Sequence, residues 1–127
     1  LNDIGIPASR TFAYPYGAVN PATKKVISNR FDLSRGVRTA HDASLDMGLT
    51  NSTRLYHGEA VNEAIHSIKA MASNPKWNIL FTHDVRDTPS DYGCTVNDLK
   101  ATIKAVKDSG AIVLPVAEAL DLVRAAA

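Results

Sequence analysis

Apolar positions along the chain recur in two rhythms, one helical and one of short unbroken runs. The sharpest helical stretch runs from Gly58 to about Ser73. There Ala60, Val61, Ala64, Ile65, Ile68 and Met71/Ala72 fall at helical spacing and form one apolar stripe. Asn74-Pro75 stops it, because the residue before a proline is pushed out of the helical region. Trp77–Thr82 follows, apolar at nearly every position, which is the pattern of a strand covered on both faces.

Shorter runs predict four more strands: Arg10–Tyr14, Phe31–Arg38, Thr53–Tyr56 and Ala111–Leu114. Asn20-Pro21 pairs a cap with a first-turn proline and predicts a helix to about Ser28. Thr95 or Asn97 caps another that runs to Ser109 and closes at Gly110. Val116–Ala126 is a final amphipathic helix. Leu1–Ser9 reads as a helix tail closed by Gly5 and barred by Pro7, which leads one to expect more chain upstream. The absence of an initial Met or leader leaves processing, a chosen boundary and a fragment all open.

The alternation of strands and helices predicts an α/β architecture with mostly parallel strands. About five strands fit either a small open sheet or the second half of a barrel of roughly seven or eight strands. Residues 1–127 are expected to form one domain or part of one.

Composition narrows the function classes more than it names one. A formal net charge of +1, with scattered basic residues, gives no electrostatic case for nucleic acid. No apolar run approaches the roughly 20 residues that span a bilayer. The single cysteine, Cys94, excludes an intrachain disulfide and has no histidine partner by spacing. No phosphate-binding glycine loop, CxxC pair, GxSxG elbow or HExxH helix is present.

Two stretches could carry chemistry, each placed where a strand meets polar or turn residues, as functional residues are at the carboxyl edge of parallel sheets. In the first, Tyr14-Pro15-Tyr16-Gly17, the Tyr16 N–H sits just past a strand end. It could bind a developing oxyanion, or the stretch could be a turn with aromatic packing. In the second, His83-Asp84 follows the apolar run. As a histidine, His83 fits a general acid or base, or else a ring that satisfies a loop carbonyl. Arg35 and Arg38 lie near a strand end and could meet a carboxylate, or be solvated. His41-Asp42 and Asp46, in the Thr39–Thr50 loop, are a weak metal signal, since a useful site needs three or four converging ligands. His57 and His66 read as structural or exposed.

With Phe12–Gly17, Phe31–Val37 and Trp77–Val85 in hand, together with Gly110-Ala111 and Val116–Leu120, the chain resembles the carboxyl-terminal half of a polysaccharide deacetylase, the NodB-homology or carbohydrate esterase family four group. The resemblance spans nearly all of the 127 residues. It implies part of a distorted (β/α)7-type barrel and metal-dependent hydrolysis of N- or O-acetyl groups on a polysaccharide or oligosaccharide. The metal expected for the family is divalent, usually zinc. By motif, Tyr16 supplies the oxyanion N–H and His83 is the general acid. Tyr14 and Pro15 belong to the substrate-facing motif, and Phe81 stands where the family usually lines the acetyl-methyl pocket with Leu. A cell-envelope or secreted location is what family substrates suggest.

The departures from that pattern are as definite. The family's Asp-Asp motif and its two helical metal-binding histidines are absent, so no residue here is assigned as a metal ligand. His57 and His66 lie on the wrong side of the Pro-Tyr-Gly motif to replace them. Ala13 stands where many members carry an Arg, and no Asp-x-x-Asp-Trp motif occurs. The chain is therefore expected to be inactive or nearly so alone and to act when joined to a metal-binding half. The rival expectation is a non-catalytic carbohydrate-binding or dimerising module, its open edge covered by a second copy or by the upstream half-barrel.

Overall fold

The computed structural model describes residues 2–5, 7–39 and 45–126. In chain order the regular elements are β1 (Thr11–Ala13), α1 (Pro21–Ser28), β2 (Leu33–Arg35), β3 (Thr53–Arg54), α2 (Glu59–Ala70), β4 (Leu80–Phe81), α3 (Val96–Ser109) and α4 (Val116–Ala125). Single 3₁₀ turns cover Asn2–Ile4 and Pro15–Gly17. The chain divides into two compact units, one made of Leu1–Asn51 with Leu114–Ala127 and the other of Ser52–Val113.

The barrel expectation is overturned. Among the described residues there are four short strands in two separate two-stranded parallel sheets, not five in one. The expected parallel sense is present within each pair. The run Trp77–Thr82 pairs only over Leu80–Phe81, both of them half-buried, so it is not a strand enclosed on both faces. Ala111–Leu114 forms no strand, and Ile112 and Val113 stand largely in solvent. A run's apolarity shows that it can be buried; pairing needs a neighbour's free backbone edge, which β3 gives to Leu80–Phe81 alone.

In the first unit, β1 pairs with β2 in the register Thr11↔Leu33, Phe12↔Ser34 and Ala13↔Arg35. The backbone of Met47–Thr50 lines the other side of β2, with Thr50 N–H donating to Ser34 O at 2.7 Å. Helix α1 forms where capping predicts it: Asn20 accepts the Thr23 N–H at 2.8 Å and Pro21 fills the first turn. Leu33, Leu120 and Tyr14 are buried. Arg10 ties the start of β1 to α4 through a two-pronged contact with Asp121, 2.7 and 2.8 Å, and also reaches Asp32.

In the second unit, β3 and β4 pair as Thr53↔Leu80 and Arg54↔Phe81, and the Leu55 N–H extends the ladder to Phe81 O at 2.8 Å. The stripe of α2 buries Val61, Ala64 and Ile68. Val61 and Ala64 join Leu55 and Cys94 in one core cluster, against which Ile65, Leu80 and Leu99 pack. Of the two cap residues open for α3, Thr95 holds the position. Its hydroxyl accepts the Asp98 N–H at 3.0 Å while the Asp98 carboxylate takes the Thr95 N–H at 2.9 Å. Gly110, at φ 72°, ends the helix in the left-handed conformation that a β-carbon disfavours.

Candidate functional site

Two strand ends carry the residues singled out above, one in each unit. In the first, the chain leaves β1 through Tyr14 and turns at Pro15–Gly17. Gly17 N–H donates to Tyr14 O at 2.9 Å and Ala18 N–H to Pro15 O at 3.0 Å, so neither bond of this turn uses the Tyr16 N–H. Tyr16 itself has φ 55° and ψ 11°, the one non-glycine residue at positive φ among those described, and its ring is fully exposed. A side chain held in the left-handed region is strained, and such strain gathers at working sites. Gly17 follows at φ 68°, where a β-carbon would run into Val37, so the end of β2 closes over the turn. Tyr14 is buried, with its hydroxyl donated to Gly48 O at 3.0 Å and its ring edge-on to Phe12 at 5.4 Å. Pro15 is exposed.

In the second unit, Thr82-His83-Asp84 continue past the carboxyl end of β4. His83 is exposed, and its N–H donates to Tyr92 O at 3.1 Å. Its ring lies among three others, with centroids 5.7 Å from Tyr92, 6.1 Å from Tyr56 and 6.4 Å from Phe81. Tyr56 also meets Phe81 at 5.8 Å and Tyr92 at 5.7 Å, both edge-to-face. The result is an imidazole set in an aromatic wall on the outer side of a two-stranded sheet.

The loop that supplies Tyr92 is pinned by Asp84. That carboxylate accepts the Ser90 hydroxyl at 2.6 Å, the Ser90 N–H at 3.2 Å and the Arg86 guanidinium. The Ser90 hydroxyl first, helped by the Ser90 N–H and Arg86, holds the Asp84 carboxyl below the usual carboxylate range against the opposing effect of burial. Cys94 N–H donates to Asp84 O at 2.9 Å, and a β-carbon on Gly93 would strike the Asp84 carboxylate. Asp84 thus works inward on the loop, and the outward-facing group is His83.

The other residues are placed elsewhere. His57 is exposed, but its Nδ1 lies 2.7 Å from Asp98 at the start of α3, and its N–H donates to Gly93 O at 2.7 Å. His66 lies exposed on α2, and Cys94 is fully buried in the core. Arg38 is exposed, and Arg35 turns one guanidinium N–H to Gly36 O at 3.2 Å. Asp46 pairs with Lys24, which is the first cause of its lowered pKa, and accepts the Gly48 N–H at 2.9 Å. His41 and Asp42 lie outside the described residues.

Among the described residues, no three His, Cys, Asp or Glu side chains stand where they could share a metal ion. Asp84 and Asp46 are already engaged by cations and hydroxyl or amide donors, and His57 and Asp98 form a pair without a third donor. This set does not fit the zinc that the resemblance implies, and no step through a metal follows from it. No helix among these residues is long and apolar enough to cross a membrane.

Tyr56 and Tyr92 enter the site unannounced by any motif. Tyr56 was readable as the last residue of the predicted Thr53–Tyr56 strand, in phase with Arg54. Tyr92 reaches the site only because its loop folds back on β4. No family model matches the chain, and neither the curated proteins nor the solved structures contain a significant match to it.

Proposed function

We propose that this chain supplies the general acid of a glycan deacetylase, acting on N- or O-acetyl groups of a polysaccharide or oligosaccharide. The observation that carries the reading is His83: an exposed imidazole, fixed by its backbone to Tyr92 and walled by Tyr56, Phe81 and Tyr92. Aromatic rings suit the apolar C–H faces of a pyranose, while an imidazole suits proton transfer to a departing group.

In this reading, water adds to the acetyl carbonyl and the bond from that carbon to the sugar nitrogen or oxygen breaks. The proton that the departing amine or alcohol needs comes from the His83 ring; of the two protons that the attacking water gives up, one restores His83 and the other passes to solvent as acetate is released. A second reading, a glycan-binding module without hydrolysis, rests on the ring cluster alone.

Acetate release from acetylated chito- and xylo-oligosaccharides by the full-length protein tests the proposal. His83→Ala is expected to lower kcat by about 10²–10⁴ with little change in KM, as loss of a general acid does. An unchanged kcat in that variant overturns the role of His83. Retained oligosaccharide binding with no acetate release by the parent protein selects the second reading.

A further inference from the structure

The face that carries His83 also carries a cation. Burial alternates along the β3 segment: Thr53 and Leu55 are buried, Arg54 is exposed and Tyr56 is half-buried. Alternation therefore puts Arg54 and Tyr56 on the side away from the core. Arg54 is the register partner of Phe81, and parallel neighbours lie about 4.8 Å apart, so the Arg54 stem starts beside the aromatic wall. Two residues further along each strand, the same side presents Tyr56 and His83, which meet at 6.1 Å.

Among the described residues Arg54 takes part in no ion pair or side-chain hydrogen bond, unlike Arg10, Arg86 and Arg124, which each face a carboxylate. Asp84, the carboxylate nearest His83 in sequence, is occupied by Arg86 and Ser90. One planar cation is thus left at the rim of a ring-lined face, with five donors suited to a carboxylate.

We propose that the ligand of this face is an acidic acetylated glycan, in which a uronate carboxylate meets Arg54 while a neighbouring acetylated pyranose lies against the rings beside His83. This specificity rests on the glycan reading given above. It adds the sign of the ligand's charge, which that reading leaves open.

Calorimetry on the chain distinguishes the two ideas. One probe is a neutral oligomer of N-acetylglucosamine, and the other is an oligomer of equal length that alternates N-acetylglucosamine with glucuronate. The acidic oligomer is expected to bind about tenfold more tightly, the size of one charge-assisted contact, and to weaken as salt is raised. Arg54→Gln removes that preference and leaves the neutral oligomer unaffected, whereas Arg54→Lys keeps part of it. Tyr92→Ala weakens both oligomers. Equal binding of the two oligomers, or a preference that survives Arg54→Gln, overturns the charge assignment and leaves the glycan site standing. Binding of neither overturns both.

Discussion

Tyr16 shows what a single residue contributes here. It holds φ 55° with its ring fully in solvent, so the strain of a left-handed side chain is offset by no burial of its own. That conformation costs an L-residue about 1–2 kcal/mol relative to glycine. Tyr16→Gly is therefore expected to stabilise the chain by about 1 kcal/mol after the extra freedom of glycine when unfolded is counted, read as a Tm a few degrees higher. A lower Tm means that the ring or the conformation does structural work not visible in its contacts. Pro15 and Gly17 announce a turn from sequence, but the conformation of Tyr16 was not legible, because no residue preference places a tyrosine at positive φ. His83 was legible from its position after an apolar run. Its aromatic surroundings were not, since Tyr92 arrives by loop hydrogen bonds that leave no periodic trace.

At the scale of elements, the start of α3 joins a cap to a charge pair. Asp98 accepts the Thr95 N–H and lies 2.7 Å from His57. Burial is the largest single influence and pushes the carboxyl up. The hydrogen bonds from the Thr95 backbone and side chain and from His57 together outweigh it, leaving the pKa below the ordinary 3.8. A carboxyl depressed on folding stabilises the protein above its unfolded pKa and loses that contribution as pH falls through the folded value. Asp98→Asn, which keeps an acceptor for the cap, is expected to flatten part of the fall in Tm between about pH 5 and pH 2. Asp46, Asp84 and Asp121 are depressed as well, so the slope is reduced rather than abolished. An acid slope identical to that of the parent protein contradicts this role.

The helices were the legible elements because their signals are local. Asn20-Pro21, the α2 stripe, Thr95 and Gly110 all sit where the sequence puts them. Strand lengths were not legible, because a strand is defined by what pairs with it.

For the molecule as a whole, the decisive difference lies at Ala111–Leu114. A fifth barrel strand would bury Ile112 and Val113, yet they are 75% and 77% exposed. Replacing both by Thr is expected to change stability by no more than about 0.5 kcal/mol at each site. Leu120→Ala, at a wholly buried residue, costs about 2–5 kcal/mol. Urea unfolding that shows comparable losses would return the segment to a sheet. The strand ends were legible without the fold, since Tyr-Pro-Tyr-Gly and Thr-His-Asp each follow a strand although the strands lie in separate sheets.

The most direct test of the proposed glycan site is the amide and histidine-ring NMR spectrum of the chain titrated with an acetylated oligosaccharide. Shifts are expected to concentrate on Tyr56, Phe81, His83 and Tyr92, with the His83 ring signals moving most. A spectrum that does not change, or shifts that gather on α2 and His66 instead, would contradict it.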